Sequence, residues 1–123
     1  MDTKLIISAI LVLCVLLTGM WLSLLGRPLN TIVFSFHKIF AITAVVLLVL
    51  SMLSLQRGID LKTAELWFII LSGIFMFLAV ASGALLSFEG LVSHFTKFVH
   101  KLTPYLAVAS IIITVIVLLK HKA

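Results

Sequence analysis

The chain alternates long apolar runs with short polar breaks, and this pattern alone predicts an architecture. Four runs stand out: Leu5 to Leu25, Thr31 to Leu55, Leu66 to Phe88, and a fourth ending at Leu119 that begins between Ser93 and Leu102. Each approaches the ~20 residues with which an α-helix crosses ~30 Å of hydrocarbon. None alternates as a barrel strand does, and a helix satisfies its own backbone hydrogen bonds in lipid. The breaks are short: Gly26 to Asn30, Gln56 to Thr63, and Glu89 to Ser93. Short connections make successive helices antiparallel neighbours. The expected fold is an all-α integral membrane protein, a four-transmembrane-helix up-down-up-down bundle.

Local signals refine the ends. Asn30 is a good N-cap for the second helix, because its side-chain oxygen can accept from the first free N–H groups. In the fourth run Thr103-Pro104 resembles a cap followed by a first helical residue. A helix starting there would be only about 24 Å long at ~1.5 Å per residue. A start near Ser93 with a kink at Pro104 is the better reading, since the proline removes the bond to the carbonyl of His100.

Composition agrees with the pattern. Of 123 residues 63% are apolar and 11% charged, whereas soluble domains hold about 45–50% apolar residues. So small a body cannot hide that excess in a core, which leaves lipid to cover it. The net charge of +5 sits at the ends of the runs. That suits lipid headgroups and excludes the clustered basic face that nucleic acid requires. Leu5 to Leu25 is longer than a signal-peptide core of about 7–15 residues and is read as a retained helix. The single cysteine, Cys14, lies inside an apolar run, reads as a buried inert thiol, and leaves the redox compartment open. Lys4, Arg57, Lys62, Lys120 and Lys122 fall on the side of both termini, against Arg27, Lys38, Lys97 and Lys101 on the other. The positive-inside rule then places the termini in the cytoplasm of a bacterial-type inner membrane.

Laying the halves over each other exposes a repeat. Thr18-Gly19, Ser23, Gly26 and His37-Lys38-Ile39 match Ser82-Gly83, Ser87, Gly90 and His100-Lys101-Leu102, with one residue of gap. Upstream, Ser8-Ala9 matches Ser72-Gly73 at the same offset. The single domain, 1–123, is thus built from two tandem helical hairpins, 1–56 and 64–123, related by a pseudo-twofold axis along the membrane normal.

The repeat sorts the helices into two kinds. The first and third carry small residues at 19, 23 and 26 and at 83, 87 and 90. At ~100° per residue each trio covers about 60° of helix surface. Such a stripe suits close helix packing, or a flat wall for a planar ring. The second and fourth carry a histidine seven residues after Asn30 and Ser93, about 10 Å into each helix from the same membrane face. Ionisable side chains at this depth are costly and mark functional sites. A neutral imidazole is the commonest metal ligand. Two of them on facing helices can supply both axial nitrogens of a six-coordinate haem.

These residues resemble those of the four-helix transmembrane b-type cytochromes, including the haem-binding bundle of cytochrome b. In that family histidines on the second and fourth helices ligate haem, while glycines on the first and third make room. The resemblance implies one haem b held by His37 and His100, with Gly19 and Gly83 giving clearance and Ser23 and Ser87 extending the walls. Many members stack two haems. Here Ser51 to Leu55 and Val115 to Leu119 hold no histidine and His121 stands alone, so a second haem is not expected. With cytoplasmic termini the haem lies toward the outer face.

Other side chains surround this candidate site. Lys38, Lys101 and Arg27 could pair with haem propionates or anchor at the interface. Phe34, Phe36, Phe40, Phe95 and Phe98 could edge the ring or face lipid. His94 lies about 120° around its helix from His100 and is expected at the interface. The expected function is electron transfer, with a quinone or a redox protein as partner and a second copy of the chain as a candidate neighbour. Whether a substrate is turned over stays open. The alternative is a cofactor-free membrane subunit or assembly factor that docks partner helices through its Gly/Ser stripes. A small transporter is a weaker third reading, since no run holds a mid-membrane carboxylate.

Overall fold

The computed structural model describes residues 3–122, and of Lys122 the backbone only. Four α-helices follow in order: α1 (Thr3–Leu25), α2 (Thr31–Gln56), α3 (Thr63–Leu86) and α4 (His94–Lys122). A single 3₁₀ turn, Glu89–Leu91, precedes α4. All four helices are long and apolar enough to cross a membrane. Large apolar side chains such as Leu17, Ile42, Phe77 and Phe95 stand exposed along them, the reverse of a soluble fold and the signature of a lipid-covered one. The chain is an all-helical integral membrane protein.

The helix ends follow local chemistry. At the start of α2, Asn30 Oδ1 accepts from the N–H groups of Ile32 and Val33 at 3.1 and 3.2 Å. At the start of α4, Ser93 Oγ accepts from Thr96 N–H at 3.1 Å. The fourth helix therefore begins at the earlier of its two candidate starts, with Pro104 inside it. Gly26 and Gly58 end α1 and α2 in the left-handed conformation, at φ +72° and +75°, which costs glycine least.

Gly26 lies in the first break, as expected, and serves as the stop signal of α1. One expectation about the third run is corrected. The third run ends at Leu86 rather than Phe88, so Ser87 is the C-cap of α3 and Gly90 lies in the 3₁₀ turn. The Ser87 hydroxyl folds back onto the carbonyl of Gly83 at 3.1 Å. Each helical stripe is accordingly shorter than its three-residue sequence pattern.

The chain divides into two compact units, Met1–Ser54 and Leu55–Ala123. Each holds one antiparallel hairpin. In the second, Ser82 meets His100, Ser72 meets Thr114, and Glu65 meets His121. The partners thus run in opposite order along α3 and α4.

The repeat reaches further than its polar markers. Ala44, Leu48, Ser51 and Leu55 are buried along α2, and Ala107, Ile111, Thr114 and Leu118 along α4. Each set follows its histidine at the same four distances in the chain. Steps of seven, four, three and four residues keep all of them on one helix face with the imidazole.

Candidate functional site

Each hairpin builds the same seat for its histidine. In the first, His37 Nδ1 lies 3.1 Å from the carbonyl oxygen of Val15 and 3.0 Å from Thr18 Oγ1. In the second, His100 Nδ1 lies 3.1 Å from the carbonyl oxygen of Ala79 and 3.0 Å from Ser82 Oγ. Val15 and Ala79, like Thr18 and Ser82, are equivalent positions of the repeat. Both imidazoles are half-buried.

The tautomer follows from the partners. A carbonyl oxygen only accepts, so Nδ1 carries a proton and donates it. The hydroxyls comply: Thr18 Oγ1 donates to the carbonyl of Cys14 at 2.8 Å, and Ser82 Oγ to that of Leu78 at 2.7 Å. Each hydroxyl proton is therefore spent on its own helix, and its lone pair faces the ring. A neutral imidazole held this way has its basic lone pair on Nε2. Metal-ligating histidines share this arrangement, in which an Nδ1–H donated to a carbonyl fixes the ring and raises the basicity of the other nitrogen.

The glycines explain how the rings fit. A Cβ added to Gly19 would lie 3.1 Å from His37 Cε1, and one added to Gly83 would lie 2.9 Å from His100 Cε1. Both distances are below ordinary van der Waals contact. In each hairpin the glycine admits the edge of its own hairpin's imidazole. A helix-interior glycine costs about 1 kcal/mol against alanine, and this close approach is what it gains here.

The remaining candidates lie further out. Ser23 is exposed on α1, and Ser87 half-buried at the C-cap of α3. Lys38 and Lys101 are exposed, and Lys38 Nζ sits 4.4 Å from the centroid of the Phe34 ring. Phe36 and Phe40 stack at 6.0 Å. Arg27 is exposed in the first turn and His94 at the start of α4.

Two features escaped the sequence reading. Thr114 Oγ1 and Ser72 Oγ form a buried hydroxyl pair at 3.1 Å. Their repeat counterparts, Ser51 and Ser8, are fully buried, and Ser51 Oγ has no hydrogen-bond partner. Position 51 aligns with 114 only if the register of His37 and His100 is carried down the helix. The second feature is the contact of Glu65 Oε1 with His121 Nε2, whose members are too far apart in the chain for any local motif to reveal.

Among the described residues no three His, Cys, Asp or Glu side chains gather into one group. Comparison with protein-family models, with curated proteins and with solved structures found no match to this chain.

Proposed function

We propose that the chain is a membrane b-type cytochrome in which His37 and His100 would hold one haem through Nε2. The observation that carries this reading is the duplicated seat. Two histidines at membrane depth, in equivalent positions, each donate Nδ1–H to a main-chain carbonyl of the partner helix. Interhelical packing alone does not call for the same tautomer twice, whereas paired axial ligation does.

The donor set fits the group. Haem so ligated supplies reversible one-electron transfer at its iron. The protein's part is to hold the two imidazoles and to exclude water. Val15 and Thr18 orient one ring, Ala79 and Ser82 the other, and Gly19 and Gly83 admit the ring edges. Lys38 and Lys101, exposed beside the two histidines in the chain, are the cations that would pair with the propionates, and Arg27 in the first turn is the third candidate. Under the positive-inside reading this site faces the outer side of a bacterial-type inner membrane, with a quinone or a redox protein as electron partner.

The alternative, docking of partner helices through Gly/Ser stripes, loses support because Gly19 and Gly83 are occupied by their own hairpin's imidazoles. The test is a visible spectrum of the purified chain, oxidised and reduced. A Soret band with low-spin α and β bands on reduction is expected. No Soret band, even after hemin is added, would sink the reading.

A further inference from the structure

The first third of α4 departs from its repeat counterpart in α2. In the register of His37 and His100, Phe34 aligns with Lys97 and Lys38 with Lys101. In the first hairpin Lys38 Nζ rests over the Phe34 ring, 4.4 Å from its centroid, a favourable seat for a cation. The second hairpin puts another ammonium where that ring would be. Lys97 and Lys101 are both exposed. Among the described residues no carboxylate forms a salt bridge with either, and Glu89, the nearest acid in the chain, lies in the 3₁₀ turn before the helix. Spaced four residues apart, the lysines share one helix face with Cβ atoms about 5–6 Å from each other, where like charges destabilise a helix. An anion between the two ammonium groups relieves that repulsion.

We propose that Lys97 and Lys101 bind the phosphate of an anionic phospholipid, with Phe98 and Tyr105 packed against its acyl chain. The phosphate diester has two non-bridging oxygens, one for each ammonium, and both bonds are charge-assisted. Depth agrees. The lysines lie about 6 and 12 Å along the helix from Ser93, from where their flexible stems reach the headgroup level. Phe98 and Tyr105, 61% and 58% exposed, fall within about 60° of Lys101 around the helix and offer the chain an aromatic flank at the interface. A zwitterionic lipid fits less well, because its own cationic group meets the lysines. The first hairpin has no second cation at position 34, so one lipid per chain is implied. This proposal does not rest on the haem reading: Lys101 is common to both, whereas Lys97 belongs to the lipid surface alone.

The test is native mass spectrometry of the full chain in dodecyl maltoside, titrated with phosphatidylglycerol or phosphatidylcholine, with inorganic phosphate as competitor. The visible spectrum is recorded in parallel, so that the two readings fail separately. One phosphatidylglycerol is expected per chain, bound about tenfold or more tighter than phosphatidylcholine, at roughly fivefold per lysine. Added salt should weaken it, and inorganic phosphate, which has no acyl chain, should not displace it. Lys97→Phe, which copies the first hairpin, and Lys97→Gln should each lose about fivefold, while Lys97→Arg should keep the preference. Lys120→Gln, at the far end of α4, should leave it unchanged. Equal binding of the two lipids, displacement by inorganic phosphate, or an undiminished preference in Lys97→Phe overturns the proposal.

Discussion

Gly83 and His100 are in contact across the second hairpin so closely that one methyl group separates the native seat from a blocked one. A Cβ at position 83 would stand 2.9 Å from His100 Cε1, against 3.1 Å for the matching pair, Gly19 and His37. Gly83→Ala should therefore push the ring off its acceptors, at a cost of about 1 kcal/mol for the hydrogen bonds lost. Haem affinity, read by hemin titration, should fall roughly fivefold. Gly19→Ala should cost less, because its neighbour must give by only a few tenths of an ångström.

Removing a ligand is a different experiment from crowding one. His37→Ala and His100→Ala should each convert a six-coordinate, low-spin spectrum to a five-coordinate, high-spin one or abolish it. His94→Ala should leave it unchanged, since His94 is exposed at the start of α4. A wild-type spectrum in His100→Ala would refute the ligand assignment.

The hydroxyls beside the rings serve as second acceptors. Thr18→Val and Ser82→Ala each leave Nδ1–H its carbonyl partner, so both proteins should fold and, if the proposed haem site is right, take up hemin as the wild type does. A hydrogen bond between membrane helices is worth about 0.6 kcal/mol, a loss measurable as an earlier midpoint in a detergent-denaturation titration. The reduction potential should rise, because a less polarised imidazole donates less charge to the iron.

Ser51 and Thr114 occupy the same position of the repeat with opposite fates. Thr114→Ala takes from Ser72 its partner across the hairpin, leaving only the bond to the carbonyl of Phe68, and should destabilise the second hairpin. Ser51→Ala removes a buried hydroxyl that has no partner and should stabilise the protein by about 1 kcal/mol. Denaturation followed by circular dichroism separates the two, and equal signs would contradict the structure.

Much of this was legible in the sequence. Hydropathy marked all four helices, and Asn30 and Ser93 marked the starts of α2 and α4, because capping is local chemistry. The His-Lys repeat located both seats. Their construction was less visible. Val15 and Ala79 act through backbone carbonyls, which no side chain advertises. The buried face of α2 and α4 was hidden because Leu48 with Ile111, or Ser51 with Thr114, are equivalent in packing without being identical. Ser87 was misplaced because the third run was carried past the point where α3 stops, whereas the breaks that hold Gly26 and Gly90 were read where the structure has them. Glu65 and His121 share no motif, and only the pairing of α3 with α4 joins them.

Because each seat is made by one hairpin alone, the order of events in biogenesis is constrained. The first imidazole is aimed, and its tautomer chosen, as soon as α1 and α2 have paired. The second follows by the same steps once α3 and α4 emerge. Each ring is thus oriented by its own hairpin, so its ordering entropy is spent during insertion.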